Sequence, residues 1–225
     1  MTQKEKIVEH VSQMITSLGV KSVRMDDVAS EMGVSKRTLY EMFGDKEELL
    51  FQSIVYIMDQ HQKILTEKTK SCQNMMEVML VSVQELCGGG HNSEFERRLT
   101  TNLLKFYPNV MEKVQRHHAE MGYRGLKYAL DTCNAEGLLD PHIDVEIMSR
   151  LFLSTLSIYA NTTHNIILPD GITRDEALKI ITINFLRGIS SPKGQQIIDQ
   201  MLMKAEAQSQ RASRAKNEIK QLGGK

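Results

Sequence analysis

The chain has 225 residues, with 28 Lys and Arg balanced by 28 Asp and Glu, so its formal net charge is zero. Hydrophobic residues at 41% and charged residues at 25% describe a globular chain of one or two domains and exclude a disordered or fibrous one. No run approaches the roughly 20 apolar residues of a bilayer span, the charged start lacks a signal-peptide core, and the three cysteines are well separated. The expectation is a reducing, cytoplasmic setting without a membrane partner.

The first predicted element is a helix over residues 2–18. Ile7, Val8, Val11, Met14, Ile15 and Leu18 form an apolar stripe at helical period, and Gly19 ends it. A short helix follows from Met25 to Met32, with Val28, Ala29 and Met32 on its apolar face. Gly33 stands where a helix closes in a left-handed residue. Val34 fills the turn, and Ser35 is placed to cap a second helix, Lys36–Phe43, whose Leu39 and Phe43 face inward. Two short helices joined by a tight turn holding a glycine make a helix-turn-helix. A fourth helix, residues 45–68, opens on a capping box of Asp45 and Glu48.

At these residues the chain resembles the TetR family of bacterial transcriptional regulators. The resemblance rests on Asp27-Val28-Ala29, on Gly33-Val34-Ser35-Lys36-Arg37-Thr38-Leu39-Tyr40 with Phe43, and on Asp45-Lys46-Glu47-Glu48-Leu49-Leu50. Past this stretch only helix order and length agree. The resemblance implies an all-α fold in three parts. Residues 1–48 would form the helix-turn-helix DNA-binding domain, 49–191 a helical effector-binding and dimerisation domain, and 192–225 a polar, basic C-terminal helix or tail. Two positions depart from the family pattern. Arg24 stands where Thr or Ser commonly caps the second helix; it can reach a phosphate but cannot cap. Glu41 stands where an uncharged or His side chain is usual. Its carboxylate either repels phosphate or accepts from cytosine N4.

Further along, Met75–Cys87 reads as a helix that breaks at Gly88-Gly89-Gly90. Another follows over 94–107. Pro108 opens a long one reaching residue 136, with Gly122 and Gly125 as candidate kinks and Gly137 as its end. The run 135–141 resembles the linker that precedes dimerisation helices in the family. Two helices then span 144–165 and 174–188, separated by Pro169-Asp170-Gly171. Each is apolar on more than one side. Val145, Met148, Phe152, Leu156 and Tyr159 form one stripe, and Ile147, Leu151 and Ile158 another; Ile180, Ile183 and Leu186 lie away from the main face of the second helix. A helix apolar all round is buried all round. That fits either the centre of a monomeric bundle or a four-helix interface between two copies, and the resemblance implies the homodimer, with Leu151, Ile158, Ile180, Ile183 and Leu186 at the contact. After Pro192 a short helix is expected, then a solvated tail in which residues 204–225 hold six Lys or Arg and two Glu.

A helix fits the major groove with its N-terminal residues at the base edges. Arg37 is the first candidate for bidentate contact with guanine, followed by Lys36. Thr38 can meet a thymine methyl or a phosphate. The resemblance adds phosphate roles for Tyr40 and Lys46, the latter at a helix start where anions bind readily. With Arg24 and the cap Ser35, these complete the DNA-facing set. Residues 1–48 carry seven Lys or Arg and nine Asp or Glu, so a basic surface requires cations on one face and acids on another. Tyr107, His118 and Tyr128 are polar tips on otherwise apolar helices and candidates to orient an effector. His118 shares a stripe with Met111, Val114 and Met121. No metal motif, cofactor motif or catalytic constellation is present. The reading is a non-enzymatic, homodimeric regulator, a repressor released from a palindromic operator by a small-molecule effector. The alternative is an architectural or division-linked DNA-binding adaptor on the same fold.

Overall fold

The computed structural model describes residues 1–87, 93–161 and 170–222. Among these are ten α-helices, one 3-10 turn and no strand beyond a single antiparallel bridge between Leu139 and Ser190. The helices fall into two compact units. The first holds Met1–Lys68 with the stretch through Gly122, and the second holds the chain around Met75–Cys87 and from Tyr123 on.

In the first unit, α1 (Gln3–Leu18) starts at a true capping box. Thr2 Oγ1 accepts from the Glu5 N–H, and the Glu5 carboxylate accepts from the Thr2 N–H. Gly19, at φ 89°, ends it, and a 3-10 turn (Val20–Ser22) seats Val20 in the core. Next come α2 (Met25–Glu31), α3 (Lys36–Phe43) and α4 (Lys46–Thr69). Gly33 takes φ 64°, the left-handed turn residue expected there. Ile7, Val11, Ile15, Val28, Leu39, Phe43, Leu49 and Leu50 are buried together. Leu103 of α6 (Ser93–Phe106) and Val110 of α7 (Pro108–Ala135) join the same core. Asp45 caps α4, accepting from the Glu48 N–H at 2.7 Å. The expected return bond is not made, because the Glu48 carboxylate instead accepts from Gln52 and Lys113.

The second unit holds α5 (Met75–Cys87), α7 from Tyr123, α8 (Val145–Asn161), α9 (Arg174–Ile189) and α10 (Pro192–Leu222). Its core gathers Met76, Leu80, Leu130, Cys133, Leu138, Leu139, Leu186, Ile189 and Ile198. Phe152 of α8 stacks on Phe185 of α9 with ring centroids 4.0 Å apart. The linker after Gly137 (φ 69°) is bonded in place: Ser191 N–H donates to Leu138 O and Asp140 N–H to Ile189 O, both at 3.0 Å.

Several expectations are corrected. Helix α7 ends at Ala135, one residue short of the expected end. Helix α10 continues to Leu222 instead of stopping after its apolar start, because the polar stretch is rich in Ala, Gln, Lys, Arg and Glu, all good helix formers. The inward histidine of α7 is His117, edge-on to Phe51 with centroids 6.0 Å apart, while His118 is exposed. Met111 is buried beside Val110, and Val114 packs on the same core as expected, but the face then continues through His117, and Met121 is exposed. Leu186, assigned to a dimer contact, is fully buried within its own unit. The Gly88-Gly89-Gly90 break, Pro169 and the side chains of Ile158 and Tyr159 lie outside the described residues.

Candidate nucleic-acid interface

Helix α3 is held from behind and open in front. Leu39 is fully buried and Phe43 nearly so, while Lys36, Arg37, Tyr40 and Glu41 are exposed. Its N-terminus is closed by Ser35, whose Oγ accepts from the Thr38 N–H at 3.0 Å and shares a 2.8 Å hydrogen bond with the Thr38 hydroxyl. Both hydroxyls are therefore committed locally, the first to the cap and the second to the first. Arg24 occupies the N-cap position of α2 in extended conformation, and its side chain makes no capping bond. The helix starts regardless at Met25, whose side chain is buried.

Two of the DNA-facing cations, Lys36 and Arg37, pair with acids instead of segregating from them. Lys36 Nζ lies 2.9 Å and 3.1 Å from the two carboxylate oxygens of Asp26, in the first turn of α2. That hydrogen bond, and then the charge of Asp26, holds the ammonium above its ordinary pKa. Arg37 Nε donates to Glu41 Oε1 at 2.8 Å, one turn along the same helix. Lys46 Nζ donates to the Tyr107 hydroxyl at 2.8 Å and stands 5.1 Å from that ring's centroid. Tyr107 thus anchors a cation at the start of α4. His118 is exposed, and Tyr128 is 67% exposed on α7.

Neighbouring bonds tie the start of α4 to the start of α7. Asn109 Nδ2 donates to Glu47 and Lys113 Nζ to Glu48, at 3.3 Å and 3.1 Å. Glu48 is held below the usual carboxylate range, first by the Gln52 amide and then by Lys113. At the far end of α2, Glu31 meets His10 Nε2 of α1 at 2.7 Å. Sequence reasoning missed Asp26 and Glu41 as partners of the DNA-facing cations, and Tyr107 as the partner of Lys46. The four-residue spacing of Arg37 and Glu41 carried a signal, since such pairs meet on a helix. No spacing links Lys46 to Tyr107.

Residues 12–52, from α1 to the start of α4, match the profile of the bacterial regulatory proteins, tetR family. The helix-turn-helix segment, residues 12–52, therefore resembles the N-terminal domain of the TetR family. Solved structures agree across most of the chain's length. A TetR-family transcriptional regulator from Cytophaga hutchinsonii superposes with a TM-score of 0.57 at 14% identity, covering 84% of this chain and 96% of that one. A TetR transcription regulator from Haloarcula marismortui gives 0.56 at 15% identity, with 84% and 98% covered. A protein from Saccharomonospora viridis, in complex with choline, gives 0.53 at 15%, with 84% and 97% covered. No curated protein matches the chain. Among the described residues, no helix is long and apolar enough to cross a membrane.

Proposed function

We propose that this chain is a homodimeric repressor of the TetR family that reads a palindromic operator and is released by a small-molecule effector. The observation that carries the reading is α3 itself. It is capped by Ser35, anchored through Leu39 and Phe43, and presents Lys36 and Arg37 at its N-terminal end to solvent. A recognition helix needs its first residues at base edges and its flanks on phosphates. Arg37 takes the base edge, and Tyr40 and Lys46 take phosphates. Lys36, tied back to Asp26, contributes to the phosphate side.

Dimerisation is supported by three large apolar side chains left open on α8 and α9: Ile147, Leu151 and Ile180, at 51%, 56% and 50% exposure. They belong to α8 and α9, the helices whose apolar character exceeds one face. Effector control is supported by the fold shared with the Saccharomonospora viridis protein, which carries choline. Of the three effector-orienting candidates, Tyr107 bears most directly on DNA binding, through its bond to Lys46.

The deciding experiment enriches bound sequences from a random duplex library with the full chain, then titrates the enriched duplex and a scrambled one. A palindromic consensus bound by a dimer, and repression of a reporter carrying it, are the expected results. A thermal-shift screen that starts from choline then seeks a compound that raises the melting temperature and weakens duplex binding. Enrichment of dispersed sites without a repressive effect would favour the adaptor reading.

A further inference from the structure

Arg37 and Glu41 stand one helical turn apart on the same face of α3, joined by the bond from Arg37 Nε to Glu41 Oε1. Neither is required to hold the helix, which has its cap at Ser35 and its core contacts at Leu39 and Phe43. The two side chains are 87% and 60% exposed, so the pair contributes little to stability in water. Its consequence is geometric. The guanidinium is a rigid planar fork of five N–H donors. An acceptor on Nε occupies one side of the fork and leaves its end, formed by the two Nη groups, facing outward. That end matches the O6 and N7 acceptors of guanine in the major groove.

We propose that Glu41 is a positioning residue for base reading: it locks the Arg37 fork in the orientation that meets guanine and turns that fork away from phosphate. This rests on the DNA-reading proposal above. Two physical points carry it. First, an arginine without a partner on its Nε is free to swing to the nearest phosphate, where it adds affinity without sequence information. A carboxylate 2.8 Å from Nε opposes that swing, because it repels the phosphate the fork would approach. Second, a docked duplex displaces water from the pair, and the attraction between the two charges grows as the local dielectric falls. The lock therefore tightens when reading takes place. Lys36 has no equivalent on its own helix, because its carboxylate partner, Asp26, lies on α2.

The test uses the full chain and the duplex enriched by wild type from a random library. That duplex is compared with a version in which the guanine assigned to Arg37 is replaced, and with a scrambled duplex. The proteins are wild type, Glu41→Ala, Glu41→Gln, Arg37→Ala and the double variant Arg37→Ala with Glu41→Ala. Both positions are exposed, and circular dichroism checks that each variant folds. Glu41→Ala is expected to lower the preference for guanine by ~5-fold or more per half-site, while affinity for scrambled duplex holds or rises. Glu41→Gln keeps an oxygen acceptor for Nε–H and retains most of the preference. In the Arg37→Ala background, removing Glu41 changes base preference no further. Preference intact in Glu41→Ala overturns the proposal. So does a cytosine preference that survives Arg37→Ala and disappears in the double variant, which makes Glu41 itself the reader. If wild type enriches a sequence and Arg37→Ala keeps it in full, positioning fails while DNA reading stands. If wild type enriches nothing, the DNA-reading proposal fails and this one falls with it.

Discussion

Lys46 and Tyr107 are 61 residues apart in the chain, yet the ammonium of one donates to the hydroxyl of the other at 2.8 Å. The bond restrains a long, flexible cation at the start of α4, where a duplex phosphate is proposed to lie. Two substitutions separate the charge from the restraint. Lys46→Ala removes a charge, so the dependence of log affinity on log salt should flatten by about 0.9 per contact, or roughly 1.8 for a dimer. Tyr107→Phe keeps the ring under the cation and removes only the acceptor. It should leave the salt slope unchanged, weaken binding to all duplexes by a similar factor, and cost about 0.5–1.5 kcal/mol of stability. A slope that stays the same in Lys46→Ala would remove Lys46 from the phosphate set. At this scale the chain was partly legible. The Ser35 cap and the left-handed Gly33 follow from local rules, because each is settled within a few residues. The pairing of Lys46 with Tyr107 is settled by tertiary packing, which no local spacing records.

Among the elements, α10 approaches the linker closely at one glycine. Pro192 and Lys193 open it, Ser191 Oγ accepts from the Gly194 N–H at 3.3 Å, and Gly194 is buried against the linker at Leu138. Gly→Ala inside a helix ordinarily stabilises by about 1 kcal/mol. Here the sign reverses, because a Cβ would overlap the backbone carbonyl of Leu138, and backbone cannot rotate away as a side chain can. Gly194→Ala should destabilise by about 1–3 kcal/mol, read as a lowered denaturation midpoint. A neutral or stabilising result would mean that α10 does not sit on the linker. The junction of α4 and α7 carries a pH dependence instead. Glu48 is held below its ordinary pKa by Gln52 and Lys113. A carboxyl depressed in the folded state contributes stability above its unfolded pKa, and that contribution is lost as pH falls through the folded value. Acid should therefore weaken this junction, and Glu48→Gln should flatten the acid limb of a stability-versus-pH profile. Apolar period placed most helices within a residue or two of their ends. It misjudged which α7 histidine points inward, because a face that passes through Met111 and Val114 can continue through residue 117 as well as 118. It also truncated α10, because a polar helix has no apolar period to follow.

For the whole molecule, the question is which apolar surface is covered by a second copy. The sequence pattern put Ile183 and Leu186 at that contact, but a helix apolar on several sides does not say which side meets its own domain. Packing answers for Leu186, which is fully buried in the core of its unit, while Ile183 is partly buried against the same core. Among the described residues of α8 and α9, Ile147, Leu151 and Ile180 are the large apolar side chains left half open. The triple variant Ile147→Glu, Leu151→Glu, Ile180→Glu is therefore expected to keep the helical content of wild type and to sediment as a monomer. With one recognition helix per particle, it should lose the gain of tethered half-sites, on the order of 10²–10⁴ in affinity for a palindromic duplex, while binding to an isolated half-site changes little. Leu186→Glu provides the contrast. It buries a carboxylate with no partner, a defect of several kcal/mol, so it should lower helical content or melting temperature before it touches oligomeric state. A triple variant that still sediments as a dimer would move the contact off α8 and α9. A Leu186→Glu protein that is fully folded and monomeric would restore that residue to the interface.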